Sequence, residues 1–531
     1  MERGFIKTIF ILFCLLYSAC NMVNRPNIAL TQPSTVSASI FPNYADSLIL
    51  PPNIAPLNFR INTDSLSHGP YFLRLYAYDA TGNKIDSLLF KTNCFVQFNI
   101  RDWKRCLLST VKGKGFLKLE IFARNKQQWI KYAPKIWQIA TDSIDPYVVY
   151  RLNAHDDNPG LRLQVVQRSL SDFSQTVLMD NRLTEDNCMN CHVSSNNNAH
   201  KMMVHIRGKY FGTLLFDNNN VFKIVLPEGY PDLRLAYPSW SADGRFIAFA
   251  STRIQAHSYA NSFRTQDLLA DTLGKILVYD IESNRLFSSP ELMEAHCEST
   301  FPAWSPDGKT LYFCRATSWD SLDSITDTKA RLASFLYRLV SVSFNPKTGT
   351  FGEIKDVFDL KKHLRSISMP SLNPDGNYIL ATSLLFGSYP SQNQGDLILL
   401  KRNTQSSDTS WNEVDASALN SLDSERYHTW SSNGRWVVFD SKRINGGTAL
   451  IHIAYFDRNG QFSQPFVLPQ KSGDFYLKNT RSFIFPTLNR NSATFTVNEW
   501  AEAVKKAPIH LPDMTYFEKY QRVGQGIRSG H

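Results

Sequence analysis

The sequence predicts an all-β protein in which a β-sandwich-like domain precedes a β-propeller. Aromatic residues, which favour strands, make up 13% of the 531-residue chain. Segments such as "YFLRLYAYDA" and "GFLKLEIFAR" alternate apolar and polar side chains with the period of a strand. In the second half of the chain, one motif recurs at intervals of 58 to 68 residues, which is typical of a repeat architecture. The length also exceeds what one hydrophobic core usually organises.

The β-sandwich-like domain is predicted over residues 25–150. Its short alternating strands are separated by Asn, Gly, Ser and Asp residues, which favour turns. The segment "GPYFLRLYAYDATGNKI" predicts a hairpin with Thr-Gly-Asn at its tip. Strands at this spacing favour a small sandwich. Residues 151–205 are predicted to connect this domain to the repeats.

The repeats follow a pattern of an aromatic residue, a proline and a tryptophan before a turn, from which three of the copies depart at one or two positions. Five copies begin at Tyr237, Phe301, Met369, Tyr427 and Phe485. Asp-Gly or Asn-Gly at the turn supplies positive φ at little cost, so the flanking strands can form a tight hairpin. A further strand pair follows each copy, as in "KILVYDIESNRLF". Four strands per repeat is the content of one propeller blade.

The copies "YPSWSADGRFIAFAS" and "FPAWSPDGKTLYFCR" resemble the blade signature of the TolB-type six-bladed propeller. The resemblance covers residues 200–500. It implies that residues 200–230 form a sixth blade without the signature. Trp240, Trp304 and Trp430 are expected to pack between blades. Residues 501–531 are expected to form a surface segment or closing strap.

The first twenty residues, "MERGFIKTIFILFCLLYSAC", predict export. Two basic residues precede an apolar stretch that is too short to remain as a membrane span. Residues 1–19 are therefore predicted as a signal peptide. "LYSAC" resembles the lipobox of bacterial lipoproteins, although Tyr17 departs from the usual aliphatic residue. This resemblance implies a lipid anchor at Cys20 and a location in the periplasm or on the outer membrane; the alternative is an ordinary cleaved signal.

Export permits disulfide bonds. Without Cys14 in the signal and Cys20 at the anchor, six of the eight cysteines remain. Two candidate pairs are Cys94 with Cys106 and Cys297 with Cys314. The sequence forces neither pair to form a bond.

The segment "NCMNCH" carries the strongest chemical signal, because it matches the attachment motif of c-type haem. In such a site Cys188 and Cys191 bind the two vinyl groups on one porphyrin edge, and His192 becomes an axial ligand of the iron. Haem attachment outside the cytoplasm agrees with the predicted export. The prediction is a covalent haem c at this segment.

The other axial ligand has several candidates in the following segment. His205 is the first choice and Met203 the second, because both would lie on one face of a strand over "KMMVHIRG". His200 and Met202 follow. Arg207 is a candidate partner for a haem propionate; the alternative is an ordinary surface ion pair.

Two alternatives to haem stay open. Cys188, Cys191, His200 and His205 could form a zinc site, although their spacing is not standard. The two cysteines could also form a plain disulfide loop. The polar stretch "SSNNNAH" is predicted as a flexible loop.

The combination of "LYSAC", "IDPYVVYRL", "NCMNCH" and "FPAWSPDGKTLYF" resembles exported lipoproteins of the Bacteroidetes type. The leading hypothesis is an electron-transfer or redox-linked binding protein that docks an envelope protein or redox partner. The alternatives are a haem-free interaction scaffold and a redox enzyme, for which no catalytic residue is predicted. The net charge of +10 is dispersed, without a run of five basic residues. Nucleic-acid binding is therefore not expected.

Overall fold

A computed structural model describes most of the chain. The described residues are 26, 31–62, 70–111, 115–125, 128–153, 162–218, 220–228, 230, 233–258, 267–388, 395–403 and 410–518. The predicted signal peptide and Cys20 lie outside them. The chain divides into two units. One consists of Met1–Ser47, Leu57–Ile139 and Ser472–Asp474, and the other of Leu48–Pro56, Ala140–Lys471 and Phe475–His531.

The first unit contains two β-sheets in its described residues. The larger sheet includes Thr31–Ser37, Tyr71–Tyr78, Lys84–Thr92, Phe116–Asn125, Gln128–Ala133 and Lys135–Ile139. The smaller sheet consists of Ile40–Phe41, Phe59–Ile61 and Phe95–Val96. A further strand spans Ser47–Leu50. The predicted hairpin is confirmed, because Tyr71–Tyr78 pairs antiparallel with Lys84–Thr92.

A helix over Ile100–Val111 was not predicted from the sequence. The side chain of Asn99 accepts hydrogen bonds from the first backbone N–H groups and so caps the helix. Trp103 is fully buried, and its ring centroid lies 5.1 Å from that of Phe98 and 6.5 Å from that of Trp137. The core of this unit therefore combines a helix with strands.

The second unit contains six antiparallel four-stranded blades within its described residues, numbered here in chain order and given from the innermost strand outward. Blade 1 consists of Ser482–Asn489, Tyr147–Asn153, Gln164–Ser169 and Gln175–Asp180. Blade 2 consists of Met189–Ser195, Asn198–Ile206, Gly212–Asp217 and Asn220–Ile224. Blade 3 consists of Ala236–Trp240, Phe246–Ser258, Asp267–Asp280 and Arg285–Phe287. Blade 4 consists of Cys297–Trp304, Thr310–Thr317, Arg338–Asn345 and Thr350–Phe358. Blade 5 consists of Ser366–Leu372, Tyr378–Leu384, Asp396–Asn403 and Ser410–Val414. Blade 6 consists of Glu425–Trp430, Trp436–Ser441, Leu450–Tyr455 and Phe466–Val467.

The blades form a closed ring, because each innermost strand contacts the innermost strand of the next blade. Blade 1 closes the ring by pairing Ser482–Asn489 with Tyr147–Asn153, which precedes it by more than 300 residues. The predicted six-bladed propeller is confirmed. The described residues of the segment 151–205, predicted as a connector, instead form the rest of blade 1 and the start of blade 2, so the propeller begins before residue 200.

The conserved geometry of the turns explains the Asp-Gly signature. In blade 3, Ser241 Oγ donates to Asp243 Oδ1 and accepts from the Phe246 N–H. Gly244 has a φ of +70° and donates to the Ser241 carbonyl. The equivalent turns at Ser305, Asn373 and Ser431 use the same pattern. A short polar side chain and a residue that tolerates positive φ are therefore both needed.

The repeated tryptophans pack between blades, as predicted. Trp240, Trp304 and Trp430 are buried in three separate apolar clusters. The ring centroid of Trp304 lies 6.5 Å from that of Phe246 in blade 3 and 5.0 Å from that of Phe344 in blade 4. Each indole therefore joins two neighbouring sheets.

The C-terminal segment closes over the outer edge of blade 2. Thr496 and Glu499 form a reciprocal capping box at the start of the helix Val497–Lys506. Ile509–His510 adds a parallel strand to blade 2. Met514 and Phe517 pack into the cluster between blades 2 and 3. The described part of the predicted strap is thus ordered by strand pairing and burial.

Short helices complete the described structure. They span Asn181–Thr184, Glu291–Met293, Trp319–Leu322, Thr328–Ser334, Lys361–His363, Ser417–Leu419 and Phe475–Lys478. Within the described ranges, none of the helices has the length and apolar character needed to cross a bilayer.

Replacing Trp304 with Ala should lower the free energy of unfolding of the propeller by about 3–5 kcal/mol, because it leaves a cavity between blades 3 and 4. Leu422, which is fully exposed, is the matched control, and Leu422→Ala should change stability by less than about 0.5 kcal/mol. Urea unfolding measures both. Equal losses in the two variants would contradict the packing described for Trp304.

Acid should destabilise the propeller through buried neutral histidines. Burial lowers the pKa of His452 to about 3 and that of His428 to about 4. The unfolded chain, with a histidine pKa of about 6.5, therefore binds protons between these values that the folded chain does not. Stability is lost as the pH falls from 7, and each histidine should contribute a loss of about 2 kcal/mol between pH 7 and pH 5.

The variant His452→Phe tests this contribution, because it keeps a planar ring and removes one titrating group. Urea unfolding at pH 7 and pH 5 should show a smaller pH-dependent loss in the variant, by about 2 kcal/mol. The same pH-dependent loss in both proteins would rule out a neutral His452 in the folded state.

Candidate functional site

One residue with left-handed backbone conformation lies in the innermost strand of every blade. The six residues and their φ angles are Cys191 (54°), Tyr237 (48°), Phe301 (49°), Met369 (54°), Tyr427 (51°) and Phe485 (55°). At each of them the pairing with the second strand shifts register, which marks a β-bulge. Five of these residues begin the repeats found in the sequence. Cys191 takes the same position in blade 2.

The segment "CHVSS" therefore belongs to the innermost strand of a sixth repeat, Met189–Ser195. This repeat begins earlier in the chain than the predicted range of residues 200–230. Cys191 replaces the aromatic residue, and His192 replaces the proline that follows it in four other blades. The tryptophan and the Asp-Gly turn are also missing, and only the turn serine remains, because Ser195 takes the position of Ser241. The distance of 46 residues between Cys191 and Tyr237 and the apolar stretch "MMV" were the signals available.

The polar stretch predicted as a flexible loop is a tight turn. Asn196 and Asn197, with φ of 48° and 58°, join the first two strands of blade 2. Asn196 Nδ2 donates to the carbonyls of Ser241 and Ala242 in blade 3. Asn197 Nδ2 donates to the carbonyls of Trp430 in blade 6 and Leu488 in blade 1. The turn thus binds three other blades.

The innermost strands enclose a cavity of about 300 Å³. Its wall contains all six left-handed residues and the residue after each of them, namely His192, Pro238, Pro302, Pro370, His428 and Pro486. A second cavity of about 450 Å³ shares Val193, Ser239, Ser371 and Thr429 with it and ends at the turns. The two cavities form a channel through the ring of blades. The upper cavity, defined here as the one with the left-handed residues, is mainly aromatic and apolar.

His192 contributes a neutral imidazole to the wall of the upper cavity. It is 5% exposed, and burial together with the nearby Arg151 lowers its pKa to about 3. Backbone groups of Phe485 and Val149 oppose this shift only in part. The Nε2 atom is buried without a hydrogen-bond partner among the described residues. At neutral pH this side chain therefore offers no positive charge.

The two cysteines of the motif have different surroundings. Cys191 lies in the cavity wall, and burial raises the pKa of its thiol despite the nearby Tyr237 backbone, Arg207 and Arg151. Cys188 instead packs against the apolar cluster between blades 1 and 2. The structure thus brings Cys191 and His192 to one cavity but places Cys188 outside its wall.

The predicted axial ligands lie away from the cavity. Met203 packs in the layer between blades 2 and 3, whereas Met202 packs in the layer between blades 1 and 2. Met203 and His205 share a face of their strand, as predicted. His205 is buried with a pKa lowered to about 3 by burial, and its Nδ1 lies 3.0 Å from Thr213 Oγ1. Arg207 is exposed beside Cys188, whose carbonyl accepts its backbone N–H.

The predicted haem ligands therefore do not surround one cavity. Cys191 and His192 fit a group bound in the channel, while Met203 and His205 do not reach the same space as a second axial ligand. His200 is half-buried and does not line the cavity either. In the described parts of the chain, no three His, Cys, Asp or Glu side chains are close enough to hold a metal ion. The haem c assignment stays a prediction.

The two candidate disulfide bonds are absent from the described residues, where all six cysteines are free. Cys297 lies opposite Thr317, and Cys314 lies opposite Thr300. This register separates the two cysteines by three residues along the strands, or about 10 Å, which is too far for a disulfide. Cys106 is buried in the helix of the first unit, where burial raises its pKa to about 12. Cys94 lies in the turn before Phe95–Val96.

The fold and the site define a β-propeller with an aromatic channel. No protein-family profile and no characterised protein sequence matches the chain. A solved structure with similarity is prolyl oligopeptidase B from Galerina marginata, with a TM-score of 0.34, 10% identity and coverage of 61% of this chain and 45% of that one. Dipeptidyl peptidase 4 from Porphyromonas gingivalis has a TM-score of 0.30 and 10% identity, with coverage of 65% of this chain and 51% of that one. The chain thus spans about half the length of these proteins, and the similarity is too low to indicate an activity.

Alkylation of the native protein should follow burial of the thiols. Iodoacetamide should modify the half-buried Cys94 and Cys297 before Cys106 and Cys314, because burial raises the pKa values of the latter two. Peptide mass spectrometry after timed labelling measures the order. Without reductant, unfolding should expose all four thiols to the reagent. Failure of Cys297 and Cys314 to react in the unfolded chain would show that they are bonded to each other.

Proposed function

We propose that this protein is an exported, lipid-anchored binding protein of the cell envelope, in which a TolB-like propeller binds a partner through the upper cavity of its channel. The observation that carries the proposal is the ring of left-handed residues, which places aromatic side chains from several blades around one opening. Clustered aromatic groups with a few polar neighbours favour binding of a partner's side chains. Export and the anchor at Cys20 rest on the sequence of the first twenty residues.

The rigidity of the cavity wall supports a binding role. The rings of Tyr237 and Phe301 lie 4.1 Å apart, and those of Tyr427 and Phe485 lie 3.9 Å apart. Three of these four aromatic residues are directly followed by a proline, which fixes the backbone beside the ring. Aromatic groups held in this way lose little conformational entropy when a ligand binds. The cavity can therefore gain affinity from apolar contact without first becoming ordered.

A second candidate is the haem c protein predicted from the sequence motif. The observation that favours it is the neutral imidazole of His192, whose buried Nε2 is unpartnered beside the Cys191 thiol. An imidazole in this state has a lone pair available for a metal. A bound haem would supply one-electron chemistry. Cys191 and His192 would hold it, and Cys188 would have to leave its apolar layer to form the second thioether bond.

A peptide-display selection tests the binding role. Peptides selected on the immobilised native protein should bind Ser371→Phe at least about tenfold more weakly, because the new ring fills the channel where the two cavities join. Thr348→Phe adds the same bulk to an exposed turn of blade 4 and should bind the peptides normally. Thermal melting confirms that both variants fold. Peptides that bind all three proteins equally would contradict a binding site in the channel.

The haem candidate has a separate test. The protein is produced with and without a bacterial cytochrome c maturation system, and the peptide that contains Cys188 and Cys191 is weighed by mass spectrometry. A haem c protein should gain the mass of one haem and lose it in Cys188→Ala and Cys191→Ala variants. A peptide that weighs only what its amino acids account for would exclude covalent haem and leave the binding role intact.

A further inference from the structure

A buried arginine without an acidic partner lies directly behind the wall of the upper cavity. Arg151, in the second strand of blade 1, is 9% exposed. It donates through Nη1 to the Met189 carbonyl at 3.3 Å and to Asn190 Oδ1. Its guanidinium lies 5.0 Å from the ring centroid of Phe485, which lines the cavity. Among the described residues, no carboxylate pairs with Arg151, and its buried Nε has no acceptor.

The position of Arg151 in the repeat shows that this charge is unusual. The equivalent residues of the second strands, each opposite the residue before the left-handed one, are Arg151, His205, Ala250, Cys314, Thr382 and Asp440. Only the first and last of these carry a formal charge at neutral pH. Asp440 has a partner, because Arg426 Nε lies 3.1 Å from its Oδ1. Buried charges are normally paired, but within the described part of the chain the guanidinium of Arg151 has no carboxylate partner.

The side of the cavity next to Arg151 is electropositive. Arg151 and Arg207 both favour the anionic form of the Cys191 thiol, and Arg151 disfavours protonation of His192. Arg207 and Arg234 act in the same way on His205. No carboxylate of the described residues contributes at any of these three groups. An anion that enters the upper cavity on the side of blades 1 and 2 would therefore be attracted to the guanidinium of Arg151, which is a fixed, partly dehydrated cation.

We infer that the upper cavity binds a carboxylic acid with an aromatic or branched apolar body. The carboxylate pairs with Arg151, and the apolar body packs against the aromatic residues of the cavity wall. The volume of about 300 Å³ limits the body to roughly one large side chain. The same chemistry is offered by a small free acid and by the C-terminal residue of a peptide. This inference rests on the proposed binding role of the channel and specifies its ligand.

Calorimetry with matched probes tests the inference. The probes are 3-phenylpropionate and its amide, and N-acetyl-Ala-Phe as free acid and as amide, titrated into the native protein. In each pair, the acid should bind at least about tenfold more tightly than the amide, because only the acid can form the ion pair. Binding of 3-phenylpropionate but not of N-acetyl-Ala-Phe would identify a small molecule as the natural ligand. Binding of N-acetyl-Ala-Phe as the free acid would identify the C-terminus of a peptide.

Variants of two buried arginines separate the ion pair from an effect on folding. Arg151→Met should weaken binding of the acids about tenfold or more, and Arg151→Lys should weaken it less, because a cation remains. Arg168→Met is the matched control. Arg168 is also buried in blade 1, and its Nε likewise has no acceptor among the described residues. Its guanidinium donates to the Pro469 carbonyl and the Gln470 side chain, and neither of these residues lines the upper cavity. This control should bind the acids normally.

Equal binding of acid and amide, absence of binding by every probe, or unchanged binding by Arg151→Met would each overturn the inference. These outcomes are distinct from failure of the proposed function. Displayed peptides that still depend on Ser371 would show that the channel binds partners without a carboxylate site. If Thr348→Phe also lost binding of the displayed peptides, the result would instead count against a binding site in the channel.

Discussion

The propeller depends on the hydrogen bonds that close blade 1. Its innermost strand, Ser482–Asn489, comes from the end of the repeats, whereas Tyr147–Asn153 comes from their beginning. An unpaired strand edge at this point would leave backbone groups without partners. Closure removes this edge and brings the innermost strand of blade 1 beside that of blade 2. The upper cavity, the buried Arg151 and the environment of His192 all exist because these two segments pair.

The parts of the fold that were predictable are those that each blade specifies locally. The turn residues and alternating strands of five repeats, and the tryptophans of three of them, follow from short segments, and a shared period of about 60 residues links them. The helix Ile100–Val111 was missed because its buried residues, such as Trp103 and Leu107, lie among strand-forming segments and its length is only 12 residues. The three outer strands of blade 1 were missed because they precede its innermost strand, which the copy at Phe485 supplies, by more than 300 residues. Tertiary pairing of this kind leaves no local signal.

The motif Cys-x-x-Cys-His illustrates how one segment can satisfy two patterns. Its spacing predicts haem attachment, whereas its position in the ring makes it the innermost strand of blade 2. The left-handed conformation of Cys191 and the shared turn geometry are imposed by the ring. Cys188 precedes this strand and packs in the layer between blades 1 and 2, whereas Cys191 lies in the bulge and lines the cavity, so the two thiols do not line the same space. The Cys-x-x-Cys spacing alone could not reveal the different surroundings of the two thiols, because the haem prediction requires both thiols to face the same side.

The closure of blade 1 is tested most directly by a disulfide between its two innermost strands. Asn153 and Ser482 lie opposite each other in the pairing, within the distance that a disulfide can span. The double variant Asn153→Cys/Ser482→Cys should form this bond under mild oxidation, as shown by a crosslinked peptide in a non-reducing digest, without loss of the folded state. If the two new thiols stay free while the protein remains folded, the ring does not close in this way and the account of the channel is contradicted.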